Sequence, residues 1–92
     1  MNGIKKIIKR DGRRAPFQIE KIADAIFAAA QASGGRDYDM AMNLAQQVVQ
    51  LLDNENMITL PTVEQIQDAV EKVLVKNGHA RTAKKYILYR NE

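Results

Sequence analysis

Apolar side chains recur at helical spacing in four stretches of this chain, and loops rich in glycine, aspartate or proline separate them. A three- and four-residue repeat puts one apolar stripe on each helix, and each stripe must be buried against another. Ile19, Ile22, Ala23, Ile26, Phe27 and Ala30 make the first stripe, on a helix expected from Gln18 to Ala32. Ser33-Gly34-Gly35 stops it, with glycine supplying the left-handed cap. Asp37 or Asp39 caps a second helix running to about Asp53, with Met40, Ala41, Leu44, Ala45, Val48, Leu51 and Leu52 along its buried side. Thr62-Val63-Glu64-Gln65 has the form of a capping box, threonine at the N-cap and glutamine at N3. The helix behind it buries Ile66, Ala69, Val70, Val73 and Leu74 and ends at Asn77-Gly78. A fourth helix is expected from about His79 to Arg90, with Ala83, Tyr86, Ile87 and Arg90 near one face.

Ahead of the helices lies IKKIIKRDGRRAPF. Asp11-Gly12 is a two-residue hairpin signal, because a type I′ turn needs positive φ at both central positions. The flanking strands read as Ile4–Arg10 and Arg13–Phe17. Pro16 has no N–H to donate, which makes the second strand short and edge-like there. A lone hairpin is marginal in water, so this one must lie on the helices. Residues Asn54–Pro61 read as a loop, with Met57-Ile58-Thr59 as a short third strand. The expected fold is α+β and mainly α: a four-helix bundle capped by a small β-hairpin or three-stranded sheet. At 92 residues the chain is one domain, 1–92.

The net charge of +3 hides a segregation. Residues 1–22 carry seven cations against two acids, residues 23–71 one cation against eight acids, and residues 72–92 six cations against one acid. Where chain ends lie close together, as they often do, the two basic ends pool their charge and favour an anionic partner. There is no cysteine and one histidine, His79. That excludes a disulfide framework, a thiolate metal site and a cysteine nucleophile, and leaves too few ligands for zinc or iron. No apolar run approaches the ~20 residues that span a bilayer. The opening MNGIKKIIKRDG lacks the apolar stretch of a secretion signal, and the expected location is the cytoplasm.

No nucleophile set, acid/base pair or metal-ligand cluster stands out, so the residues by themselves describe no enzyme. Neither common glycine-rich phosphate motif is present. Lys9-Arg10 entering the turn and Lys21 in the first turn of helix one are the remaining phosphate candidates. A cation at a helix N-terminus is disfavoured unless an anion joins it there.

The string IIKRDGRRAPFQIEKIADAI resembles the opening of the ATP-cone domain, hydrophobic-x-K-R-D-G-x-x-x-P-F-x-x-x-K-I. TVEQIQDAVEKVLVKNGHARTAKKYILYR resembles its second half. The two motifs stand in order and cover about residues 4–91, most like the N-terminal regulatory domain of anaerobic ribonucleoside-triphosphate reductases. Those enzymes are far longer, so the resemblance implies a domain of a longer chain. It also implies a four-helix bundle capped by a small sheet, binding ATP or dATP with Mg²⁺ between sheet and helices. ATP permits reductase activity and dATP shuts it off, an allosteric report to the catalytic domain. Self-association of cones is a further implied partner, while nucleic acid and membrane are not expected partners.

Carried over by position, the resemblance assigns Lys9 and Arg10 to phosphates and Ile7 to the base. Gln18, where the family often has Asn or Asp, meets the ligand through its amide, and Lys21 is the main phosphate charge. Val63 and Gln67 face base and sugar, and Tyr89 and Arg90 return beside the sheet on the last helix. Ala15 stands where some members carry an acid, and Val63 where others carry threonine. A competing reading is a nucleic-acid-binding module, such as the cone of a nucleotide-responsive transcriptional regulator. Regulators of that kind carry a cysteine-rich zinc ribbon, and this chain has no cysteine.

Overall fold

Gly12 holds φ at +87°, and this left-handed residue shapes the amino-terminal ribbon. In the computed structural model, which describes residues 3–55 and 57–90, β1 (Lys6–Ile8) pairs antiparallel with β2 (Arg14–Pro16). Ile7 lies opposite Ala15 and Ile8 opposite Arg14. The turn is not the expected type I′ form, because Asp11 is not among the residues of positive φ. The Gly12 N–H donates to the Lys9 carbonyl at 2.9 Å, and the Lys9 N–H to the Arg13 carbonyl at 2.7 Å. This is a three-residue loop closed by a glycine bulge. Asp11 closes it from the side: Oδ1 accepts from the Arg13 backbone N–H at 3.0 Å and Oδ2 from its Nε at 2.6 Å. That backbone bond, then the Arg13 side chain, hold the Asp11 carboxyl below its usual pKa of 3.8.

The third strand is not at residues 57–59. The Ile58 N–H donates back to the Leu52 carbonyl at 2.7 Å, and Met57 sits at φ +55°. An L-residue there turns the chain and cannot extend a ladder. The segment reaches the free edge of β1 later: the Ile8 N–H donates to the Pro61 carbonyl at 2.9 Å, and Ile8 bridges Thr62 in parallel. The sheet is therefore a two-stranded ribbon with one parallel bridge.

The helices are α1 (Ile19–Ala32), α2 (Tyr38–Gln50), α3 (Val63–Lys76) and α4 (Ala80–Arg90). The α2 axis continues as a π-helical turn, Leu51–Glu55, which accounts for the helix expected to reach Asp53. Asp37 is the α2 cap, its Oδ1 accepting from the Met40 N–H at 3.0 Å. The capping box at α3 is complete: Thr62 Oγ1 accepts from the Gln65 N–H at 3.1 Å, and Gln65 Oε1 from the Thr62 N–H at 2.9 Å. Around the bundle, α1 packs on α2 and α4, and α3 packs on α2 and α4. The four stripes meet in one core containing Ile26, Val48, Leu52, Val70 and Leu74, with buried alanines such as Ala23, Ala29, Ala41 and Ala45 letting the helices approach closely. The ribbon lies over the end of the bundle where α1 and α3 begin, because β2 feeds α1 and β1 bridges the residue capping α3. At the other side the Gly3 N–H donates to Asp53 Oδ2 at 2.6 Å, fastening the chain start to the π-helical turn.

Candidate functional site

The ribbon and the starts of α1 and α3 leave a cleft of about 220 Å³ between them, with α4 behind. Side chains two apart on a strand share a face, so β1 directs Ile7 and the following Lys9 into it together. Gln18, Lys21, Ile22 and Ala25 line it from α1 at helical spacing, and Val63, Ile66 and Gln67 do so from α3. Ala15 and Phe17 complete the ribbon side, and Tyr86 of α4 lies at the back. The cations are exposed, whereas Ile22, Ile66 and Tyr86 are buried. The cleft thus has a polar, basic mouth and an apolar floor.

Gln18 occupies the α1 N-cap with extended backbone but makes no side-chain capping bond. The caps of α2 and α3 both do. Of the three, α1 alone presents its positive end without a side-chain acceptor, and Lys21 adds charge in that same turn. Such an end favours an anion.

Six of the nine expected residues, Ile7, Lys9, Gln18, Lys21, Val63 and Gln67, come together in the lining. Arg10 stands at the rim. It donates from Nη2 to Gln67 Oε1 at 3.3 Å, and its Nε lies 3.8 Å from Glu64 Oε2. Arg90 is not in the lining: its Nη1 pairs with Asp68 at 2.9 Å and Glu71 at 3.0 Å, tying α4 to α3. Burial works against the Arg90 charge, but the two carboxylates outweigh it and raise its pKa. Tyr89 belongs to α4, and its side chain lies outside the described residues.

Tyr86 also lines the cleft, although its position on the α4 stripe reads from the sequence as core. The available signal was the hydroxyl, since a buried tyrosine usually needs a partner for its polar end. Burial pushes the Tyr86 hydroxyl up to about 12; the Arg90 charge works against this, and Glu71 and Asp68 add to it. Ala15 and Val63, the two departures from the family pattern, both face the cleft. Two other depressions, about 250 Å³ between α2 and α3 and about 530 Å³ beside His79 and Arg81, contain none of the expected residues.

The arrangement suits a ligand with an apolar portion for the floor and negative charge for the mouth. Among the described residues no group of three His, Cys, Asp or Glu side chains is placed to hold a metal ion. No described helix is long and apolar enough to cross a membrane.

A family model described as the ATP cone domain matches residues 5–92. The chain is 34% identical to an anaerobic ribonucleoside-triphosphate reductase of Salmonella typhimurium over 86 residues, covering 94% of this chain and 12% of that one. It is 40% identical to a vitamin B12-dependent ribonucleoside-diphosphate reductase of Thermoplasma acidophilum, covering 97% of this chain and 12% of that one. It is 38% identical to a ribonucleoside-diphosphate reductase subunit alpha of Treponema pallidum, covering 94% and 11%. The chain therefore spans about 12% of the length of these curated relatives.

Proposed function

The chain belongs to the ATP-cone domain family, and from that membership we propose that it is the nucleotide-sensing regulatory domain of a ribonucleotide reductase. It takes ATP or dATP in the cleft beneath the ribbon. ATP permits turnover by the catalytic region of the longer chain and dATP stops it. The domain itself carries no catalysis, and the oxidoreductase chemistry belongs to that catalytic region. Its setting is the cytoplasm.

The observation that supports this reading most is the meeting of Lys9 and Arg10 from the ribbon turn with Lys21 from the first turn of α1, around one cleft with an apolar floor. The triphosphate lies at the mouth between Lys9 and Lys21, over the uncapped start of α1, with Arg10 at the rim. Mg²⁺ arrives chelated by the phosphates. Each cation-to-phosphate hydrogen bond is charge-assisted and contributes roughly 1.5–3 kcal/mol. Three of them give micromolar affinity only when the adenine also packs, which Ile7, Phe17, Val63 and Ile66 allow. Gln18 and Gln67 offer amides to the sugar, where the 2′-hydroxyl distinguishes the two effectors. The signal leaves through two assembly states that bind ATP and dATP unequally, by docking on the catalytic region or on another cone.

Calorimetric titration with ATP, dATP and GTP in the presence of Mg²⁺ tests the reading. Adenine-selective, micromolar binding is expected, at least tenfold weaker in Lys9→Ala and in Lys21→Ala. Unchanged affinity in both variants places the site elsewhere.

A further inference from the structure

The register of the ribbon divides its side chains between two faces. Ile7 and Ala15 face the cleft, so by alternation Lys6, Ile8 and Arg14 share the opposite face. Lys6 and Arg14 are exposed there, and Ile8 is half-buried. Lys6 and Arg14 are diagonal neighbours across the ribbon, and among the described residues neither is in an ion pair. Like charges placed so repel one another. A face of the opposite sign lies on α1. Glu20 and Asp24, four residues apart, share one side of that helix and are both exposed. Among the described residues neither pairs with a cation. Tyr38 of α2 stands beside them, 37% exposed. Its hydroxyl donates to Asp24 Oδ1 at 2.8 Å, and its ring meets Phe27 edge-on with centroids 5.4 Å apart. An exposed tyrosine held from two sides is preorganised for contact with a partner.

We propose that the chain pairs with a second copy of itself, the outer ribbon face of each copy resting on the α1–α2 face of the other. Each face carries two charges of one sign beside an apolar group: Lys6 and Arg14 with Ile8, and Glu20 and Asp24 with Tyr38. Because β2 ends at Pro16 and α1 begins at Ile19, the two faces adjoin on one molecule. A twofold axis between them brings unlike faces together twice. Charge complementarity identifies the occupant. An unrelated acidic surface would satisfy the ribbon and leave Glu20 and Asp24 unpaired, whereas a second copy satisfies both faces at once. Exposed ion pairs are individually weak and screened by salt, so the pairing is transient and salt-sensitive. It is independent of the nucleotide reading, because none of these six residues lines the cleft.

The test is sedimentation equilibrium of the 92-residue chain at low and at high salt. The expected result is a monomer–dimer equilibrium at low salt, weakened about tenfold or more at high salt. Two charge-reversed variants, Lys6→Glu with Arg14→Glu and Glu20→Lys with Asp24→Lys, are each expected to sediment as monomers at low salt. An equal mixture of the two forms dimers, because the reversed ribbon of one meets the reversed α1 of the other at both contacts. Circular dichroism checks that each variant is folded. Asp24→Lys also removes the Tyr38 bond, so Glu20→Lys alone stands in for the second variant where the double change lowers the melting temperature. A wild-type chain that stays monomeric at low salt overturns the proposal. So does a dimer that either variant leaves intact, which puts the contact on another face. Variants that are monomeric alone and stay monomeric when mixed overturn it as well, because the two faces then do not meet.

Discussion

The Arg10 guanidinium donates to Gln67 Oε1 at 3.3 Å, joining the ribbon turn to α3 across 57 positions of sequence. The same group lies 3.8 Å from the Glu64 carboxylate, one helical turn earlier. In the ligand-free domain Arg10 is therefore shared between an amide and an acid at the rim of the cleft. A phosphate entering there competes with Glu64 for it.

Glu64→Gln removes the competitor. Both side chains of the pair are more than half exposed, 58% and 54%, so the pair is worth only about 0.2–1 kcal/mol. The expected outcome is ATP binding about two- to fivefold tighter at low salt. The gain shrinks as ionic strength rises. Titrations at two salt concentrations check both statements. Weaker binding in the variant would instead make Glu64 a direct contact of the ligand or its metal.

Thr62→Ala opens the reciprocal cap of α3. Loss of such a cap costs about 1 kcal/mol, or roughly 4–8 °C of melting temperature in a domain of this size. Thr62→Ser keeps a hydroxyl and most of the stability. Thermal circular dichroism of the two variants measures the difference.

Arg90→Ala separates bracing from binding. The Arg90 side chain is 16% exposed and holds Asp68 and Glu71, while Asp68 is itself 64% exposed. The expected loss is about 1–2 kcal/mol of stability, at the low end for charged hydrogen bonds because of that exposure. ATP affinity stays within about twofold, since the loss reports a brace and not a contact. A tenfold fall in affinity at unchanged stability would put Arg90 on the ligand.

These contrasts show where the amino-acid sequence is informative. The helices were legible because period alone identifies a buried stripe, and Thr62 with Gln65 marks α3 through chemistry confined to four residues. The turn was less legible: Asp11-Gly12 suits both a two-residue loop and a bulged three-residue one. The choice rests on Asp11 finding the Arg13 N–H and guanidinium. The third strand was placed too early because Met57-Ile58-Thr59 has strand composition, while the left-handed backbone at Met57 is set by the return of Ile58 to Leu52. At the site, Lys9 and Lys21 were legible from charge next to a turn and a helix start. The engagement of Arg90 by Asp68 and Glu71 depends on how α3 packs against α4, which neither segment states by itself.

Alkaline pH gives a measure of Tyr86 that needs no ligand. Burial raises its pKa from the ordinary 10.0 to about 12, so the folded chain holds the proton after the unfolded chain has released it. Stability from the neutral hydroxyl is complete below pH 10 and erodes as pH rises toward 12. By pH ~11 the lost share is about 1.4 kcal/mol. Tyr38, whose pKa is raised first by its hydrogen bond to Asp24, slopes the same way, and groups common to both proteins cancel in the comparison. Tyr86→Phe removes only the Tyr86 share. Urea unfolding of wild type and variant is expected to show the phenylalanine protein gaining relative stability between pH ~9 and ~11, by about that amount. Parallel pH profiles would mean that water solvates the hydroxyl in the folded state well enough to cancel the effect of burial.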